Sequence, residues 1–132
     1  MKLLVDTSAL LALVLRNDQN HAAAARFVRQ SPKARFVMTE LVLAETVTRL
    51  RARAGATRAV DVATELLRSE RYQLVFLDQA ALAEALGHMA RFDDKRLSLA
   101  DCASFATMKR LGLPAAFSFD RDFRDCGFAM VP

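Results

Sequence analysis

Cysteine and histidine are scarce in this sequence of 132 residues, and tryptophan is absent. The two cysteines, Cys102 and Cys126, lie in separate apolar segments without the CxxC spacing or the nearby histidines of a zinc site. They predict reduced thiols in the core rather than a disulfide framework. No apolar run approaches the roughly 20 residues of a membrane span, and the first residues lack the pattern of a secretion signal. We therefore expect an unexported, cytoplasmic protein.

Lysine is also rare, because only four of the 19 basic residues are lysine and the rest are arginine. The formal net charge is +4, and the isoelectric point is near 9.6. The planar guanidinium group of arginine suits the recognition of phosphate. This composition favours a polyanionic partner.

The chain has no repeats, low-complexity tracts or linkers, so we expect a single domain over residues 1–132. Five short apolar runs of strand length alternate with helical stretches. This alternation predicts an α/β fold, a three-layer α/β/α sandwich around a central, mostly parallel sheet of about five strands. The runs cover residues 3–5, 35–38, 73–77, 115–117 and 128–131, and the helical stretches cover 8–16, 21–30, 39–54, 57–69, 78–90 and 99–111.

Four acidic residues lie where such a fold places its ligands. Open parallel sheets bind ligands at the carboxyl ends of their strands. Asp6 directly follows the first apolar run, and Asp120 lies three residues beyond the fourth. Glu45 and Asp101 belong to helices that follow or adjoin strand ends. These four residues are the candidates for a functional site.

Asp6 and Asp101 could instead have structural roles as helix caps. Ser8 is better placed than Asp6 to cap the helix that begins there, so Asp6 has no evident structural role. Asp101 completes the spacing Ser98-x-x-Asp101 of a capping box, and an acid in the first turn also suits the helix dipole. Asp101 therefore fits a cap and a functional site equally well.

Glu45 and Asp120 have structural alternatives too. The apolar stripe of its helix places Glu45 on the opposite, solvent-facing side, where it would pair with Arg49 four residues later. Asp120 would cap a short helix over residues 121–126, with Ser118 as the rival cap. The stripe comprises Leu43, Val47, Leu50 and Ala54.

Convergence of the four acids predicts a metal site. Carboxylates crowded at one edge of a sheet repel one another and raise one another's pKa values unless a cation neutralises them. Hard oxygen ligands without sulfur or imidazole favour Mg²⁺ or Mn²⁺. The expected cofactor is therefore one of these two ions.

Four motifs follow one another along nearly the whole chain. They are LLVDTSAL at the start, a lone Glu within the helix after the second strand, RLSLADCASFATMKRLGL, and AFSFDRDFRDCGF. In this order and spacing they resemble the PIN-domain ribonucleases, and particularly the VapC-type toxins of bacterial toxin–antitoxin pairs. The resemblance implies metal-dependent hydrolysis of RNA phosphodiester bonds, leaving a 5′-phosphate and a 3′-hydroxyl. It also implies a homodimer and a VapB-like antitoxin encoded next door.

The resemblance carries the family's catalytic and metal-binding acids over to this chain. Glu45 would either bind the ion or orient a water molecule beside it, and Glu40 is a weaker competitor for its position. Asp122 lies close enough to Asp120 to share or take the role of the last acid. The matching positions are Asp6, Glu45, Asp101 and Asp120.

Neighbouring polar residues complete the predicted site. The hydroxyls of Thr7 and Ser8 either hydrogen-bond to the metal ligands or cap the helix. Four arginines close to the acids either hold flanking phosphates or form a solvated face. Few aromatic side chains are available to stack on bases, which favours a folded RNA such as tRNA over a long single strand. The arginines are Arg49, Arg53, Arg121 and Arg124.

Other activities fit the sequence less well. A phosphatase-like domain with Asp6 as nucleophile would want a second acid at the position of Ser8. A ribonuclease with a histidine pair would have only His21 and His88, and the sequence around neither of them indicates a catalytic role. A non-catalytic module that binds RNA or a partner has no reason to keep four acids opposite phosphate. The complete acidic set is the feature that discriminates between these alternatives.

Overall fold

The computed structural model describes residues 1–132 as a five-stranded sheet between two layers of helices, as predicted. The strands are β1 (Lys2–Val5), β2 (Arg35–Thr39), β3 (Tyr72–Val75), β4 (Ala116–Phe117) and β5 (Met130–Val131). The helices are α1 (Thr7–Val14), α2 (His21–Gln30), α3 (Glu40–Ala54), α4 (Ala56–Arg68), α5 (Gln79–Arg91), α6 (Leu99–Leu111) and α7 (Asp122–Asp125).

All five strands are parallel, in the order β3-β2-β1-β4-β5. Leu4 of β1 lies opposite Val37 on one side and Ala116 on the other. The chain builds outward from β1 through β2 to β3 and then returns to the other side of β1 with β4. This reversal creates a topological switch point beside the carboxyl end of β1, where ligands of such sheets bind.

Alternate residues of β1 point into two separate cores, which explains why the strand is apolar throughout. Leu3 and Val5 pack with side chains of α1, α2, α3 and α4 on one face. Leu4 packs with side chains of α5, α6 and α7 on the other face. The sheet is therefore covered on both faces, and only its edges and strand ends are available to ligands.

Helix α6 has defined signals at both ends. The Ser98 hydroxyl accepts a hydrogen bond from Asp101 N, and the Asp101 carboxylate accepts one from Ser98 N, both at 3.0 Å. At the other end, Gly112 adopts a left-handed conformation with φ of 62°, which glycine adopts without a steric penalty. The capping box fixes Asp101 in the first turn of α6.

The predicted cap of α1 was wrong. The helix begins at Thr7, and its N-cap is Asp6 rather than Ser8. The Asp6 side chain accepts a hydrogen bond from Ser8 N at 3.3 Å, while Ser8 points its hydroxyl back at the same carboxylate at 2.7 Å. Asp6 therefore has a structural role as a cap, contrary to the prediction from sequence.

The predicted apolar stripe of α3 holds for Leu50, which is buried, and for Leu43 and Val47, which are partly buried against the cores, but not for Ala54. The buried residues of this helix are Val42, Thr46 and Leu50, whereas Ala54 is exposed. The helix packs against α4, α1, α6 and β2, so its buried surface is broader than one stripe. Thr46, a polar residue, lies within this packed surface because its hydroxyl donates to Thr7 Oγ1 at 3.5 Å.

Both cysteines are free, and Cys102 is fully buried. Burial raises the pKa of the Cys102 thiol to about 11, so this thiol stays protonated at neutral pH. None of the helices combines the length and the apolar character needed to cross a membrane.

Candidate active site

Acidic side chains from four separate elements line one pocket at the carboxyl edge of the sheet. Asp6 follows β1, Asp120 follows β4, Glu45 lies on α3, and Asp101 lies on α6. The pocket has a volume of about 190 Å³, and none of its lining residues is hydrophobic. Its other lining residues are Thr7, Ser8, Arg49, Arg96 and Ser98.

Asp6 is held by two serine hydroxyls and is only 4% exposed. Its Oδ2 accepts hydrogen bonds from Ser8 Oγ at 2.7 Å and from Ser118 Oγ at 3.0 Å. Each hydroxyl has a single proton, so its oxygen is left to accept from the backbone. Ser8 Oγ accepts from Phe119 N and Ser118 Oγ accepts from Asp120 N, both at 3.0 Å. This network fixes Asp6 relative to the loop that carries Asp120.

Asp101 combines a capping role with a place in the pocket. Its Oδ2 accepts the hydrogen bond from Ser98 N that completes the capping box. Burial, followed by the nearby charges of Asp6 and Asp120, raises the pKa of Asp101 to about 6. Burial likewise raises the pKa of Asp6. The two alternatives weighed for Asp101 therefore do not exclude each other.

Glu45 forms the expected pair with Arg49 and also reaches the pocket. Its Oε1 lies 2.8 Å from Arg49 Nη2, and its Oε2 accepts a hydrogen bond from Thr7 Oγ1 at 3.4 Å. Both Arg49 and Thr7 line the same pocket. The pair is therefore part of the site rather than a remote surface contact.

The two competing acids lie outside the pocket. Asp122 begins α7, and its backbone N–H donates to Asp120 Oδ1 at 2.9 Å, so Asp122 helps to orient Asp120. Glu40 accepts from Leu77 N through both carboxylate oxygens, at 3.0 and 3.1 Å. Glu40 thus joins the start of α3 to the end of β3, and only Glu45 of this helix faces the other acids.

The three aspartates share an arrangement that suits a hard cation. In each, one carboxylate oxygen accepts from protein donors, and the other has no hydrogen bond within the protein. The oxygens without a protein donor are Asp6 Oδ1, Asp101 Oδ1 and Asp120 Oδ2. Mg²⁺ and Mn²⁺ bind through a few such oxygens together with water.

The pocket does not hold its acids at metal-ligand spacing. No group of three acidic, histidine or cysteine side chains is arranged to hold a metal ion as it stands. Burial is the main cause of the raised pKa values of Asp6 and Asp101, and the neighbouring acids of the pocket raise them further. The donor set therefore fits Mg²⁺ or Mn²⁺, and binding of the ion would require the side chains to close around it.

The structure also identifies two polar residues that the sequence analysis did not assign to the site. Ser118, predicted from sequence only as a rival cap, donates to Asp6 Oδ2, and its position directly after β4, at the same sheet edge as Asp120, is the sequence signal that could have identified it. Arg96 lines the pocket and precedes the Ser98 cap by two residues. Of the predicted arginines, only Arg49 lines the pocket, whereas Arg53, Arg121 and Arg124 do not.

Neither histidine reaches the pocket. His21 Nδ1 lies 2.8 Å from the carbonyl oxygen of Ala12. His88 packs against the rings of Phe92 and Phe105. Both histidines therefore contact parts of the fold that lie away from the pocket.

Comparisons with known proteins point to one family. A family model described as PIN domain matches residues 3–129. The chain is 36% identical over 129 residues to the 23S rRNA-specific endonuclease VapC20 of Mycobacterium tuberculosis, covering 96% of this chain and 95% of that protein.

Solved structures agree with the sequence comparisons. The crystal structure of M. tuberculosis VapC20, titled a sarcin–ricin loop cleaving toxin, matches with a TM-score of 0.88 and 31% identity, covering 96% of both chains. VapBC2 from Rickettsia felis, bound to a DNA fragment from its promoter, matches with a TM-score of 0.72 over 98% of this chain and 97% of that one. At 8% identity, the second match shows the fold alone.

Proposed function

The chain belongs to the PIN-domain family and, within it, to the VapC-type ribonuclease toxins, and we propose that it cleaves RNA with Mg²⁺ or Mn²⁺ held by the four acids of its pocket. The proposal includes a single domain over residues 1–132 and a cytoplasmic location. Its support is the convergence of Asp6, Glu45, Asp101 and Asp120 on one pocket from four separate elements. Burial and crowding in the pocket raise the pKa values of Asp6 and Asp101, and such perturbed acids are typical of functional sites.

In the proposed reaction, the three aspartates of the pocket bind the cation that activates the phosphodiester group and the water. A bound divalent cation supplies Lewis acidity toward the phosphodiester group and the attacking water. Asp6, Asp101 and Asp120 would hold the cation through the oxygens that lack protein donors. In-line attack of water on phosphorus breaks the bond to the 3′ oxygen, which takes up a proton and leaves as the 3′-hydroxyl of the upstream fragment, while the downstream fragment keeps the phosphate on its 5′ oxygen.

Glu45 is the best placed acceptor for a proton of the attacking water. Arg49 binds Oε1, and the Thr7 hydroxyl donates to Oε2, so both oxygens of Glu45 are oriented by neighbours in the pocket. A carboxylate fixed in this way retains lone pairs for a water molecule. We therefore assign to Glu45 the orientation and deprotonation of that water.

We propose 23S rRNA, cut at its sarcin–ricin loop, as the substrate. This choice follows from the names given to VapC20, to which the chain is 36% identical over nearly its full length. A folded RNA also suits a protein with few aromatic side chains, no tryptophan and a net charge of +4.

The partner we propose is a VapB-like antitoxin, and the assembly a homodimer of the toxin bound to it. The R. felis structure, which shares the fold, is by its name VapBC2 a structure of such a pair. The direct check is a small neighbouring reading frame whose co-expression relieves toxicity. Toxicity that persists under co-expression would contradict the pairing.

Expression in a bacterial host tests the proposed function. The wild-type chain should arrest growth, and 23S rRNA from the arrested cells should show a new end in the sarcin–ricin loop by primer extension. Asp6→Asn should abolish both effects at equal protein level, because the change removes a negative ligand while Asn still accepts hydrogen bonds from both serines. Growth arrest by Asp6→Asn as strong as that by the wild type would refute the proposal.

A further inference from the structure

Two arginines line the acidic pocket, and they differ in what they bind. Arg49 is paired with Glu45 at 2.8 Å, four residues earlier on α3. Arg96 forms no salt bridge and no hydrogen bond, although four carboxylates line the same pocket. Its side chain is exposed to solvent. The pocket therefore contains one guanidinium whose charge and donors are not engaged by the protein.

The backbone around Arg96 is held on both sides. Leu97 is only 7% exposed and packs in the core formed with α5 and α6. Ser98 caps α6, and Lys95 Nζ lies 3.6 Å from Asp125 Oδ2. Buried Leu97 and the cap fix where the Arg96 side chain leaves the backbone, at the mouth of the pocket.

A phosphate entering this pocket needs a donor of its own. A cation bound to the acids would offset the carboxylate charge, but the two free oxygens of a phosphodiester would still need hydrogen bonds from the protein. A guanidinium provides two parallel N–H donors matched to such oxygens. Arg49 already binds a carboxylate, so Arg96 is the available group.

We propose that Arg96 binds the free oxygens of the scissile phosphate and stabilises the charge that builds up on them during cleavage. This inference rests on the proposed ribonuclease function. It makes Arg96 a catalytic residue that touches the reacting phosphate. Because the charge on these oxygens is greatest in the transition state, the contact acts mainly on kcat rather than on KM.

Steady-state cleavage of a synthetic hairpin carrying the 23S sarcin–ricin loop tests the proposal. Arg96→Ala should lower kcat by about 100-fold, the usual effect of losing one such donor, and change KM less than about threefold. Arg96→Lys should have a kcat about tenfold higher than Arg96→Ala, because lysine restores the positive charge but not the two parallel N–H donors of the guanidinium. Arg29→Ala is the matched control, since Arg29 is an exposed arginine in the last turn of α2, near the amino ends of the strands.

A binding measurement separates substrate contact from a structural effect. In the Asp6→Asn background with Mg²⁺, adding Arg96→Ala should reduce the slope of log Kd against log salt for the hairpin by about one, the value for one lost phosphate contact. The melting temperature should not change.

Three results would each overturn either the role of Arg96 or the proposed ribonuclease function. A wild type that cleaves while Asp6→Asn does not, together with Arg96→Ala within about threefold of wild-type kcat, would overturn the role of Arg96 alone. A wild type that cleaves no RNA would overturn the proposed function instead. Loss of activity in Arg96→Ala with a lowered melting temperature and no recovery in Arg96→Lys would also overturn the proposal, because it indicates a structural role.

Discussion

At the scale of single residues, the acids of this pocket each serve the fold and the site together. Asp6 caps α1, and Asp101 completes the capping box of α6. In both, one carboxylate oxygen satisfies the backbone or nearby hydroxyls and the other has no protein donor. A structural role for such a residue is therefore no argument against a functional one.

Ser118 provides a test of how Asp6 is positioned. Ser118→Ala removes a donor to Asp6 Oδ2 and the acceptor for Asp120 N, so kcat should fall by about 10-fold to 100-fold. Ser104→Ala is a matched control, because Ser104 is a buried serine whose hydroxyl has no hydrogen-bond partner. The control should keep its activity and its stability. Equal activity of the two variants in RNA cleavage would contradict a positioning role for Ser118.

Asp101 should make stability depend on pH in the absence of divalent ions. Its pKa of about 6 in the folded state lies above the usual 3.9, so the folded state binds the extra proton between these values. Stability is therefore lost as pH rises from about 4 to 6, and the penalty is complete above 6. Asp101→Asn avoids this penalty, because it stays neutral and still accepts from Ser98 N.

Denaturant unfolding in EDTA measures this effect. At pH 7.5, Asp101→Asn should be more stable than the wild type by about 1 kcal/mol, after allowance for the partial exposure of the carboxylate. At pH 4 the two proteins should be equally stable. If Asp101→Asn were less stable than the wild type, and by the same free energy of unfolding at pH 7.5 and at pH 4, the carboxylate would carry no charge penalty.

At the scale of elements, the sequence predicted the strands and helices well because burial leaves a strong pattern. A strand covered on both faces is continuously apolar, as Leu3 to Val5 is, and helix ends are marked by Ser98 and Gly112. The predicted apolar stripe of α3 was incomplete because four neighbouring elements pack on that helix, and residue periodicity records only one buried face. The cap of α1 was misassigned because Asp6 and Ser8 are both good caps, and local sequence does not rank them.

Two glycines allow a test of the α6 boundary. Gly112 ends α6 with φ of 62°, so Gly112→Ala should destabilise the protein by about 1 kcal/mol through left-handed strain. Gly87 lies inside α5 without positive φ, and an added Cβ there meets nothing within 4 Å. Gly87→Ala should stabilise by up to about 1 kcal/mol. Thermal unfolding compares the two, and destabilisation by both would show that α5 tolerates no added methyl group.

At the scale of the whole molecule, the site exists because of the strand order. β1 and β4 are neighbours although more than a hundred residues separate them, and Asp6 N donates to Phe117 O at 3.0 Å across this join. This adjacency brings Asp6 and Asp120 together and could be expected from the strand-end rule for parallel sheets. Arg96 could not be assigned in this way, because its position depends on how the segment between α5 and α6 packs.

The central claim is that the four acids form a cation site that cleaves RNA, and cleavage by the purified protein tests it most directly. Wild-type protein stripped with EDTA should leave bacterial 23S rRNA intact and cut it within the sarcin–ricin loop once Mg²⁺ or Mn²⁺ is added. Asp6→Asn, with an unchanged circular dichroism spectrum, should be at least about 100-fold slower under the same conditions. Equal cleavage in EDTA and in Mg²⁺, or full activity of Asp6→Asn, would contradict the claim.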